Sequence, residues 1–110
     1  SVRDVRRLSA QGVLDLIPEC ESDYITIDID GFDPSIAPGT GTPSHGGFQY
    51  YEVLEIIQAL AKRSQGRIVG MDLVEVAPAY DLSGMTAILA AQLLMNSIGF
   101  VFHERAEARR

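Results

Sequence analysis

The run Tyr24-Ile25-Thr26-Ile27-Asp28-Ile29-Asp30-Gly31-Phe32-Asp33-Pro34 leaves the chain little choice of fold. From Tyr24 to Ile29 it is β-branched or aromatic apart from one carboxylate, which suits a packed strand. Side chains alternate along a strand, so Ile25, Ile27 and Ile29 share one face and Thr26, Asp28 and Asp30 the other. Two carboxylates at that spacing lie roughly 6–7 Å apart at Cα. At the end of a buried strand they are costly unless a positive charge neutralises them. No Lys or Arg lies between Arg7 and Lys62. A hard or borderline divalent cation suits that role. Asp, Gly and Asp-Pro are also ordinary turn residues, so these residues by themselves fit a plain turn as well as a metal site. A calcium loop of the EF-hand type fits poorly, because Gly31 follows Asp30 directly and Asp33 falls out of step.

Around this run the pattern is α/β. The basic stretch Ser1 to Leu8 reads as a surface lead-in. Ser9 is placed to cap a short helix through Ile17, with Val13, Leu16 and Ile17 inward and Pro18 as its stop. Gly31 to Phe48 has no helical or strand period and holds five glycines and three prolines. A loop of that length inside a compact domain is usually functional. Its Gly39-Thr40-Gly41-Thr42 run lacks the Lys-Ser/Thr ending of a phosphate loop, so the glycines are read as points of close backbone approach. Tyr50 to Arg63 is amphipathic through Val53, Leu54, Ile57, Leu60 and Ala61, with Gly66 as its C-terminal glycine. Ile68 to Val76 reads as a second buried strand, on which Asp72 makes structural hydrogen bonds and Glu75 sits near the carboxyl end. Ala77 to Gly84 is a loop. Thr86 to His103 is an apolar helix sheltered on most sides, and Glu104 to Arg110 is a frayed tail.

Two parallel strands do not make a stable sheet alone, since parallel strands need covered faces and neighbours. These 110 residues are therefore expected to be part of a larger sheet. Ligands in such sheets gather at the carboxyl ends of strands, where Asp28, Asp30 and Glu75 fall. The chain has a formal net charge of −6 and no basic run, which argues against nucleic acid or an anionic membrane as partner. Thr86, Gln92, Asn96 and Ser97 interrupt the apolar stretch Met85 to Phe102, which favours a buried helix over a membrane span. Cys20 is the sole cysteine, so there is no internal disulfide, and a reducing, cytoplasmic setting is expected.

Ile27 to Pro34, followed by Ala37-Pro38-Gly39-Thr40-Gly41-Thr42-Pro43 and Gly46-Gly47, closely resembles the signature of the ureohydrolase (arginase/agmatinase) family. Leu73-Val74-Glu75-Val76-Ala77-Pro78 resembles that family's second C-terminal motif. Tyr80 to Ala87 is more similar to the agmatinase and guanidinobutyrase branch. Thr26 stands where many members have Ser. The resemblance implies the C-terminal part of a three-layer α/β/α parallel-sheet fold, with residues 1–110 as that part. It implies two manganese ions in the complete site, with Asp28 bridging both and Asp30 ligating one. It assigns Glu75 to the substrate guanidinium, Thr42 to the substrate's vicinity and Asp33 to a turn-stabilising role. No catalytic residue beyond the metal ligands falls in this stretch.

The implied activity is hydrolysis of a guanidino compound, such as agmatine or guanidinobutyrate, to urea and an amine. The guanidinium carbon is a weak electrophile, so two metal ions that lower the pKa of a shared water, with a carboxylate to orient the cation, answer the chemical need. Complete members commonly form trimers or hexamers, so a homo-oligomer is expected. The family's other ligands, an upstream His and an Asp-Ala-His-x-Asp run, do not occur in the sequence; His45 and His103 are in different settings. The chain alone is therefore expected to be inactive. The alternative is a non-catalytic, ureohydrolase-like remnant or assembly module.

Overall fold

The computed structural model describes residues 1–110. Three helices, α1 (Val2–Asp15), α2 (Tyr50–Arg63) and α3 (Met85–Ala108), accompany two strands, β1 (Asp23–Asp28) and β2 (Ile68–Val74). The strands are parallel, with Thr26 opposite Asp72 and Asp28 opposite Val74. The result is α/β, as the alternation of patterns predicts.

The pleat sorts the sheet into two unlike faces. Ile27 is buried and stacks with Ile29, Phe32, Ile57, Leu89 and Leu93 in the main core, with Ile25 and Leu73 against it. Phe32, Ile29 and Leu93 are essentially sealed from solvent; each such side chain contributes about 1.5–3 kcal/mol. A second, smaller cluster joins Ala61, Ile68 and Val101. The opposite face carries Tyr24, Thr26 and Asp28, all exposed. There the Tyr24 hydroxyl and the Thr26 hydroxyl donate to Asp72 at 2.9 and 2.6 Å, the structural role expected of Asp72. Gly70 makes room for the Tyr24 ring, which would lie 2.6 Å from a Cβ at that position.

The N-terminal helix differs from expectation. It starts at Val2, not after Ser9, because Ser1 caps it and Asp4 completes the capping box. Ser9 is a kink, at φ 62° and ψ 173°. The kink turns the second segment so that Leu14 is buried, while Leu16 and Ile17 are exposed. The Arg63 guanidinium closes this helix by donating to the Leu14 and Ile17 carbonyls at 2.7 and 3.0 Å. Across the same interface Arg6 donates to Glu52 at 2.6 Å and holds its carboxyl below the usual range.

The helix α2 ends as expected, with Gly66 left-handed at φ 73° and its N–H on the Ala61 carbonyl. The tail is not frayed. Helix α3 continues to Ala108, and Arg105 donates to the Gly66 and Ile68 carbonyls, both at 2.8 Å. Nor is α3 sheltered on most sides. It buries Leu89, Leu93, Ser97 and Val101, yet Ile88, Met95, Ile98 and Phe102 on its other sides are exposed. By length and composition it could cross a membrane, but its buried face belongs to the two cores. Asp81 caps its start, accepting from the Thr86 and Ala87 N–H groups at 3.0 Å each. The Ala87 N–H foremost, then that of Thr86, keeps the Asp81 carboxyl below its ordinary range against the opposing effect of burial.

Candidate active site at the carboxyl ends of the two strands

Strand β1 stops at Asp28. A 3-10 turn over Ile29–Gly31 follows, and Asp28 caps it by accepting the Asp30 N–H at 3.1 Å. Asp28 and Asp30 are thus not successive outward positions on one strand, as alternation suggested. The short Asp28 side chain offers the backbone a local bond that competes with the ladder, and the turn wins. The turn keeps Asp28 and Asp30 at the strand end, with Ile29 between them in sequence and fully buried.

The long loop returns to the same place. Its ends are closed by the Asp33 N–H on the Phe48 carbonyl and the Phe48 N–H on the Gly31 carbonyl, at 2.9 and 2.8 Å. Asp33 holds the interior, accepting from the Ser35 and Gly46 N–H groups. Hydrogen bonds from Ser35, first, and then from the loop amides hold its carboxyl below the ordinary range. So folded, the loop delivers Thr42, whose hydroxyl donates to Asp30 Oδ2 at 2.7 Å. Two glycines make the close approaches expected of this segment. A Cβ at Gly39 would meet the Asp81 Cβ at 2.5 Å, and one at Gly47 the Phe32 carbonyl carbon at 2.4 Å.

Strand β2 ends one residue before Glu75, two residues earlier than the sequence pattern predicts. Glu75 is left-handed, at φ 69°. Because Asp28 pairs with Val74, Glu75 leaves the sheet at the level of the Asp28–Asp30 turn. Its side chain is exposed. A left-handed conformation costs a residue with a Cβ of order 1 kcal/mol, and glycine avoids that cost. Glu75→Gly is accordingly expected to stabilise the chain by up to about 1 kcal/mol while deleting the carboxylate. A urea-denaturation midpoint unchanged or lowered in this variant would show that Glu75 carries no such strain. The exit of β2 is stitched to the loop by the Ala77 N–H on the Gly39 carbonyl, and the Gly39 N–H is taken by the buried Thr86 hydroxyl, each at 2.8 Å. Asp81 and Thr86 hold this corner, a role the sequence motif does not assign them; an Asp shortly ahead of an apolar helical run is the cap signal that marks it.

The donor chemistry suits a hard cation in part. Asp28 keeps one carboxylate oxygen outside the turn bond, and Asp30 keeps the oxygen that Thr42 does not use. Both are hard donors of the kind manganese takes. No group of three or more His, Cys, Asp or Glu side chains gathers to complete a centre. The Thr40 hydroxyl, within this loop, is buried without a hydrogen-bond partner.

Comparison with known proteins shows the family and the fold. An agmatinase from Proteus mirabilis is 40% identical over 104 residues, covering 89% of this chain and 33% of the relative. The human protein named guanidino acid hydrolase, mitochondrial, is 53% identical over 76 residues, covering 68% of this chain and 20% of that protein. The crystal structure of agmatine ureohydrolase of Thermoplasma volcanium matches with a TM-score of 0.82 and 32% identity, over 100% of this chain and 36% of that one. The chain thus spans between a fifth and a third of the relatives' length. The arginase family model matches residues 1–99, and on that match, together with the fold and the strand-end carboxylates, the chain belongs to the arginase family.

Proposed function

We propose that residues 1–110 form the C-terminal part of a manganese-dependent hydrolase of a guanidino compound, yielding urea and an amine. The observation that carries this reading is the contact of Thr42 with Asp30 beside Asp28, at the carboxyl end of a parallel strand. The names of the relatives, agmatinase and guanidino acid hydrolase, support the substrate class.

In this reading Asp28 and Asp30 hold manganese. Two such ions supply a water that is nucleophilic at neutral pH and charge that offsets the developing negative charge. This chain's residues do the rest. The Asp28 turn bond fixes both carboxylates relative to the strand. The Thr42 hydroxyl orients Asp30 through its second oxygen. Glu75, at the neighbouring strand end, accepts the guanidinium N–H groups in a charge-assisted pair, which positions the central carbon for attack. We place the protein in the cytoplasm as a homo-oligomer; the free, exposed Cys20 is in keeping with a reducing compartment.

The test is urea release from agmatine and from 4-guanidinobutyrate, with and without manganese, by the polypeptide that carries this sequence at the length of its relatives. Manganese-dependent urea from either substrate supports the reading; none from either overturns it. A second reading, a non-catalytic assembly module, rests on the absence of a third ligating side chain at the strand ends and on the apolar face of α3 left exposed. It predicts that the 110-residue chain self-associates through that face; a monodisperse monomer by analytical ultracentrifugation counts against it.

A further inference from the structure

The Thr86 side chain is sealed from solvent at the start of α3. Its hydroxyl nevertheless bonds outside the helix, accepting the Gly39 N–H at 2.8 Å. Asp81 seats Thr86 by accepting its N–H and that of Ala87, and Leu89 and Leu93 of the same helix belong to the main core. The Gly39 carbonyl in turn accepts the Ala77 N–H at 2.8 Å. Gly39 is thus clamped between α3 and the exit of β2. The fit leaves no room for a side chain: a Cβ there would stand 2.8 Å from the Thr86 hydroxyl oxygen as well as against Asp81. Glu75 lies two residues before Ala77, and Thr42 three residues after Gly39.

We infer that Thr86 is a positioning residue: through Gly39, its buried hydroxyl holds Glu75 and Thr42 in fixed relation across the two strand ends. This rests on the hydrolase reading above for what Glu75 and Thr42 do, and not for the clamp itself. Glu75 stands at φ 69°, a conformation that persists only where its surroundings impose it. The run of bonds from Ala77 through Gly39 to Thr86 supplies that constraint from a helix anchored in the core. Without the Thr86 hydroxyl the Gly39 N–H is left buried and unpaired, which is costly. The loop and the strand exit then relax to find it another partner, and Glu75 leaves the left-handed region. A displacement of about 1 Å in a group that orients substrate costs up to roughly 100-fold in rate.

The clamp is tested first without catalysis, by urea denaturation of the 110-residue chain. Glu75→Gly is expected to raise the midpoint of the unmodified chain and to leave that of Thr86→Val unchanged or lower, because the strain it relieves is gone once the clamp opens. Equal changes in the two backgrounds, as independent sites give, would overturn the inference. Should Thr86→Val not fold, Asp81→Asn gives the same cycle, since it removes one of the two acceptors that seat the start of α3 and keeps the other. In the polypeptide at the length of its relatives, Thr86→Val is expected to lower kcat/KM per folded molecule by about tenfold or more, with Thr86→Ser, which keeps the hydroxyl, within about threefold of the unmodified enzyme. A residue that only stabilised the fold would lower the melt and leave kcat/KM per folded molecule unchanged; that result overturns the inference even though the enzyme works. No urea from the unmodified longer polypeptide, with the denaturation effects still non-additive, sinks the hydrolase reading and leaves the clamp standing.

Discussion

Asp28→Asn is expected to cut urea release by at least about 100-fold in the proposed hydrolase, with little change in stability. The two effects separate because Asp28 has two jobs on two oxygens. One oxygen accepts the Asp30 N–H and caps the 3-10 turn. An asparagine keeps that acceptor, so the turn survives. The other oxygen becomes an NH2 group, which donates and cannot ligate a cation. Urea release at saturating manganese, set beside a thermal melt of the same variant, reads both jobs at once. Near-normal activity would remove Asp28 from the ligand set, whatever the family motif suggests. A melt lowered as far as the activity would instead make the loss a folding effect.

Gly47→Ala is expected to be the most damaging small substitution in the loop. Its Cβ would lie 2.4 Å from the Phe32 carbonyl carbon, 2.5 Å from the Asp33 nitrogen and 2.6 Å from the Phe32 oxygen. These are backbone atoms at the point where the loop closes through Phe32 and Phe48, so no side chain can swing away. The expected cost is about 3 kcal/mol or more, a fall in Tm of more than about 10 °C for a domain of this size. Because the same closure carries Thr42 to Asp30, manganese affinity should fall with it. Gly41→Ala is the control, since a Cβ there meets nothing within 4 Å; it is expected to stay within about 0.5 kcal/mol. Similar melts for the two variants would mean that the loop is not closed at Gly47.

Much of this was legible beforehand for identifiable reasons. The helix α2 announces itself by its period, its terminal Lys62 and Arg63 and its left-handed Gly66. The helix α1 does not, because a left-handed serine mid-way is invisible to periodicity, and the phase counted from Ser9 puts Leu16 and Ile17 inward when Leu14 is the residue that packs. The tail misled for a related reason. Charged residues after an apolar helix usually fray, but Arg105 finds two backbone carbonyls beyond α2 that only the packed structure brings within reach.

For the candidate site, the sequence determined the residue types, their order and their family: strand, acids, glycine-rich loop, second strand, Glu75. Those follow from local rules of β propensity, turn chemistry and motif spacing, which need no neighbours. Tertiary structure alone decided that Thr42 meets Asp30 across twelve residues of sequence, and that Glu75 stands at the level of the Asp28–Asp30 turn. Each of these depends on closing a loop or pairing two strands far apart in the chain. Such closure is fixed by the summed burial around Phe32, Ile29 and Leu93, and no short window of sequence contains it.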